Sequence, residues 1–193
     1  VSVFVIDRFL TSDNHPSKLL NDYVVREDQS MTGVLGALFV GIGATAVMDG
    51  WAVFQKLVFG VPSLDYRLVG RWIGHLPGGR FSHGDIAKTP MVRGEAALGW
   101  MAHYVIGIVF AAILVCLWPE WLRHPTLLPA LIIGIGSIVA PFFILQPCLG
   151  AGIAASRTPQ PWLSRLRSLL AHTLYAIGLF VSGVLFARYM PIS

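Results

Sequence analysis

Four polar side chains stand inside long apolar runs: Asp49, His103, Gln146 and His172. A carboxylate, two imidazoles and an amide in such surroundings can bind or relay a proton, hold a cation, or lock helices together. A central Asp costs ~3 kcal/mol on membrane-insertion scales, so each of these groups needs an account. Asp49 precedes Phe59 by ten residues, His103 follows Glu95 by eight, His172 follows Arg167 by five, and Gln146 precedes Ser156 by ten. With helices of alternating direction, a rise of 1.5 Å per residue brings all four to one level, ~8–15 Å below one membrane face.

The elements that must position them follow from hydropathy. Hydrophobic residues make up 55% of the 193, charged residues 12%, and the mean hydropathy is +0.67. A soluble domain carries roughly 25% charged residues, so this chain lacks the polar surface to cover a water-exposed globule. Its net charge of +4 does not indicate nucleic acid, because the basic residues cluster between apolar runs, where they meet lipid headgroups. The sequence predicts an all-α polytopic membrane protein, a four-transmembrane-helix bundle with helices at about 32–59, 96–118, 126–155 and 162–189, in a single membrane domain over residues 31–193. Residues 1–30 read as a weakly ordered tail with loop-like stretches at 13–16 and 26–30. Met31, just ahead of the first run, marks them as a segment that a native product could lack.

Small residues at a stride of four mark packing faces in lipid. Gly33, Ala37, Gly41 and Thr45 lead to Asp49; Gly99, Gly107 and Ala111 flank His103; Ser168 and Ala176 flank His172. All three ionisable side chains are therefore expected to face the bundle interior. Pro141 and Pro147 should free carbonyls near residues 137 and 143. Ala102-His103 and Ala171-His172 hint at a duplicated helical hairpin. Between the first two runs, Ser63 can cap a short amphipathic helix with Leu64, Leu68, Trp72 and Leu76 on one face and Asp65, Arg67, Arg71 and His75 largely off it, lying on the membrane surface. Lys56, Arg67, Arg71, Arg80, Lys88, Arg93, Arg157, Arg165 and Arg167 flank one side of the bundle. The positive-inside rule then puts loops 60–94 and 156–165 in the cytoplasm and both termini outside. Cys116 and Cys148 fall toward opposite faces, too far apart for a disulfide.

The segments Gly41-Ile42-Gly43-Ala44-Thr45-Ala46-Val47-Met48-Asp49, Pro62-Ser63-Leu64-Asp65-Tyr66, Val69-Gly70-Arg71-Trp72, Gly74-His75-Leu76-Pro77, Leu98-Gly99-Trp100-Met101-Ala102-His103-Tyr104 and Ala155-Ser156-Arg157-Thr158-Pro159 are familiar. Over about Met31 to Ala187 the chain resembles a family of small bacterial inner-membrane proteins described only as a domain of unknown function. The resemblance implies a multi-helix fold in the bacterial inner membrane and carries no activity.

The residues allow several functions. Proton- or cation-linked transport, or a transport accessory subunit, would use Asp49, His103, Gln146 and His172, and a metal variant would bind through Asp49, His103 and His172. The little room within four helices points to a homo-oligomer or larger membrane complex. A b-type haem would take His103 and His172 as axial ligands. A lipid-phosphate enzyme would place Arg67, Arg71, Arg80, Arg93 and Arg157 on phosphate oxygens, with Asp65, His75, His83 or Asp85 in acid–base work. Arginines beside a bilayer also simply touch headgroups. A structural or assembly subunit would use the polar centre as a packing lock. No HExxH, phosphate loop or nucleophile motif is present, so an enzyme is not the leading reading, and the cofactor stays unassigned.

Overall fold

The computed structural model describes residues 16–61 and 63–190, with side chains from Met31 onward; the tail reading for residues 1–15 lies outside them. The described residues are all-helical. Five helices carry the architecture: α1 (Pro16–Phe59), α2 (Tyr66–His75), α3 (Glu95–Leu117), α4 (Leu127–Leu149) and α5 (Pro161–Tyr189). Four of them are long and apolar enough to cross a membrane: the Met31–Phe59 part of α1, and α3, α4 and α5. Residues 26–30, read from sequence as loop, instead continue α1. Their polarity does not end a helix, because Arg26 to Ser30 contain neither Gly nor Pro.

The spans pack in the order α3–α1–α5–α4, and α3 and α4 barely touch each other. Small residues set the close approaches, as their spacing predicts. On the α1–α3 face a Cβ on Gly41 would fall 2.6 Å from the Ile108 Cα, and Gly107 sits under the Thr45 hydroxyl. On the α1–α5 face Gly178 lies against Ala44, and between α4 and α5 Gly134 lies against Ala176. The core behind these contacts is Val40, Ala44, Leu114, Leu179 and Phe186, closed at one end by Trp121 and Leu122. Outward, Ile42, Phe54, Val105, Ile132 and Val184 are exposed, as lipid-facing positions should be.

The third span departs from a plain helix. Pro141 has no N–H and crowds the carbonyl four residues back, and here the helix opens into a turn at Ser137 followed by a π-turn over Pro141–Leu145. The Ser137 carbonyl freed by Pro141 is taken up by the Ala140 N–H at 3.1 Å. The span then stops at Leu149 rather than near residue 155. Gly150 is left-handed (φ 95°), and its Cα faces the Gly84 carbonyl too closely for any side chain. Beyond it, Ala154 and Ala155 are also left-handed, held by the Arg165 guanidinium on the Ala154 carbonyl (2.8 Å) and the Thr158 hydroxyl on that of Ala155 (2.8 Å).

α2 is amphipathic but does not simply lie on a lipid surface. Asp65, not Ser63, is its N-cap, accepting from the Arg67 N–H at 3.0 Å. The helix is docked along the start of α3, with Gly70 against the Glu95 carbonyl and Gly99 against the Tyr66 carbonyl. Gly99→Leu should therefore lever α2 off α3, lowering the thermal midpoint in detergent and exposing residues 60–94 to protease. Gly50→Ala, whose Cβ meets open space, should leave both unchanged.

Candidate functional site

The docking of α2 rests on an ion pair in a sealed place. Arg71 and Glu95 are each only 8% exposed. Arg71 Nε and Nη2 donate to the two Glu95 carboxylate oxygens, both at 2.8 Å. Arg71 Nη1 donates to the carbonyls of Ala87 (3.1 Å) and Thr89 (3.2 Å), and Glu95 also accepts the Val92 N–H at 3.1 Å. This fork-to-fork geometry with its remaining donors satisfied is what a buried guanidinium requires. Arg71 is thus not available to headgroups or phosphate. Arg67, Arg80, Arg93 and Arg157 are exposed, and Arg67 pairs with Asp65 at 2.7 Å.

So held, α2 delivers Tyr66 to the level of the intramembrane polar groups. Asp49 on α1 and His103 on α3 meet as the stride of small residues predicts, with His103 Nε2 3.0 Å from Asp49 Oδ1. The Tyr66 hydroxyl lies 3.0 Å from the same nitrogen, its ring stacked on the imidazole at a centroid distance of 4.2 Å. Burial, and next the Asp49 carboxylate, push the Tyr66 phenol far above the usual tyrosine range, so it keeps its proton at any ordinary pH. One Nε2 position cannot serve two oxygens at full strength: it donates to Asp49 Oδ1 or accepts from the Tyr66 hydroxyl, so the carboxylate and the imidazole contend for one proton while the phenol keeps its own. The other Asp49 oxygen, Oδ2, is buried without a partner among the described residues.

His172 is held separately. The Ser137 hydroxyl donates to the Gly134 carbonyl at 2.6 Å, so its oxygen must accept from His172 Nδ1 at 2.7 Å. Nε2 of the neutral imidazole is then an acceptor, and the one side-chain hydrogen bond of His172 among the described residues is made through Nδ1. In each successive pair of spans, a histidine on the second helix bonds a polar residue on the first: His103 to Asp49, and His172 to Ser137. The Ala-His repeat in the sequence fits this arrangement.

His103 and Tyr66 of the first cluster and both Ser137 and His172 of the second border one cavity of about 390 Å³. Its walls are α3 (Ile106, Gly107, Phe110) and α4 (Ala140, Pro141, Ile144), its cap is α2 (Tyr66, Val69, Trp72), and Thr45, His172 and Tyr175 form its back. Gln146 does not join it. Because α4 ends at Leu149, Gln146 sits in the last turn, and its Oε1 is buried with no partner among the described residues. No three His, Cys, Asp or Glu side chains among the described residues come together to hold a metal ion, and His172 is turned to Ser137 rather than to Asp49. Both cysteines are free thiols. Outside the spans, Asp85 caps a short turn through the Ala87 N–H, and His75 bonds the Pro90 carbonyl.

Tyr66 and Ser137 are the partners of the two histidines that sequence spacing did not single out. Pro141, four residues after Ser137, was the available signal for one; Tyr66 had none, since its position depends on Glu95. Arg71→Met should strip Glu95 of its partner and lower the thermal midpoint, and Glu95→Gln should do the same. The double replacement Arg71→Met with Glu95→Leu should recover part of the loss, because no charge is left unpaired; a double variant worse than both singles would show that the pair contributes more than mutual neutralisation.

No curated protein and no solved structure matches the chain. A family model does match, over residues 38–186, a range that holds Asp49, Tyr66, His103, Ser137 and His172. The chain belongs to the family described as "Protein of unknown function (DUF2938)".

Proposed function

We propose that this multi-pass protein works in the bacterial inner membrane as a proton-linked transporter, or a transport subunit, for a solute that reaches it from the bilayer. The observation that carries the reading is the Asp49–His103–Tyr66 cluster on the border of a bilayer-level cavity. A carboxyl group inside a span, sharing a proton with an imidazole that a phenol also contacts, can take up or release that proton as its surroundings change. A solute in the cavity changes those surroundings directly, because it replaces whatever faces His103 and Tyr66. The basic residues of loops 60–94 and 156–165 support a cytoplasmic position for both loops, with the short α3–α4 connection and the chain ends on the other face. The exposed apolar flanks support lipid contact and leave room for a second copy or a larger complex.

The metal, haem and lipid-phosphate readings are less well supported. His103 Nε2 is engaged by Asp49 and Tyr66, and Arg71 is engaged by Glu95.

Proteoliposomes holding a pH-sensitive dye test the proposal. The wild-type protein should collapse an imposed pH gradient faster than protein-free vesicles, and Asp49→Asn, which keeps the shape but cannot ionise, should return the rate to the protein-free level. Equal rates for wild type and Asp49→Asn would leave the cluster as a packing lock.

A further inference from the structure

The geometry points to the chemical class of molecule that occupies the cavity: an uncharged, mostly apolar molecule headed by a hydroxyl group that donates to His172 Nε2. The inference rests on the cavity of the transport reading but not on proton exchange at Asp49. Three observations converge. First, the lining is almost wholly carbon, so a charged head would be left without partners there. Second, the cavity opens sideways. The helices on either side of the gap, α3 and α4, barely touch, and Ile106, Val109 and Ile144 at its edge are 46%, 50% and 57% exposed. A ligand can enter from the hydrocarbon without crossing water, which selects lipid-soluble molecules.

Third, a free polar atom in the wall is an acceptor. The Ser137 hydroxyl proton is committed to the Gly134 carbonyl, so His172 must use Nδ1–H to reach Ser137; that is its one side-chain hydrogen bond among the described residues, and the Nε2 lone pair is left over. The neighbouring hydroxyls are already spent: Thr45 donates to the Gly41 carbonyl and Tyr175 to that of Gly107. An acceptor in a carbon-lined site favours a donor, so an alcohol or phenol is bound and the matching ether or ketone is not. Isoprenoid alcohols and long-chain hydroquinones share that chemistry.

The full chain in nanodiscs of phosphatidylethanolamine and phosphatidylglycerol, with no pH gradient, tests this through quenching of tryptophan fluorescence, Trp72 being in the lining. The probes are geranylgeraniol, decylhydroquinone and the methyl ether of each. At least one hydroxyl form should bind about tenfold tighter than its ether, the worth of one buried hydrogen bond. Preference for geranylgeraniol alone assigns an isoprenoid alcohol, and for decylhydroquinone alone a phenol. His172→Leu should erase the preference, and Val109→Trp, placed at the lipid-exposed mouth, should abolish binding without touching the packed interior. Ethers that bind as tightly as their parents, a preference that survives His172→Leu, or no binding by either hydroxyl probe would overturn the inference. Because no gradient is used, a failed proton assay and a failed binding assay are separate results.

Discussion

The ion pair between Arg71 and Glu95 holds the rest of the site in place. Four spans alone would leave Asp49 with His103 and a gap between α3 and α4 open at its end. The guanidinium draws α2 down onto the first turns of α3, where Gly70 and Gly99 let two backbones meet with nothing between them. That contact fixes the height and rotation of α2. Through it Tyr66 reaches His103, and Trp72 and Val69 close the cavity. A buried pair of this kind is weak evidence for net stability, but it is well suited to specifying one arrangement among many. Gly, Arg and Glu here serve positioning, and the polar atoms that border the cavity lie on their neighbours.

The spans were legible in the sequence because lipid imposes a crude rule: about twenty apolar residues, with backbone bonds satisfied internally. The facing of Asp49 and His103 was legible for a related reason, since close packing without a hydrophobic drive needs small residues, and these recur every fourth position. Arg71 was misplaced because its partner is 24 residues away, beyond a loop whose course no local pattern gives. A lone arginine on an amphipathic helix reads as a headgroup contact until its carboxylate is seen. Gln146 was placed too deep because hydropathy continues past Leu149, while the helix stops where Gly150 meets the backbone of Gly84. Hydropathy measures what lipid tolerates and is blind to where a turn must form.

The two polar pairs differ in kind. Asp49 and His103 compete for a proton beside the Tyr66 phenol, which keeps its own, so their arrangement depends on charge. Ser137 and His172 form a directional chain that ends on a backbone carbonyl, so its polarity is fixed by which hydrogens are available. One pair is suited to exchanging a proton and the other to a fixed hydrogen-bond direction, and residues of both line one cavity.

The pairing of polar residues within consecutive spans bears on how such a chain enters a membrane at all. Synthesis delivers the spans one after another, and the first, α1, packs most extensively against the last, α5. Had Asp49 found its partner on α5, the carboxylate would wait in hydrocarbon through the insertion of two intervening helices. His103 arrives instead with the very next span, and His172 likewise meets a serine that has just preceded it. Each nascent hairpin thus satisfies its own histidine, and of the side-chain hydrogen bonds between spans among the described residues, that of Tyr175 to the Gly107 carbonyl is left to form between distant helices when the bundle closes.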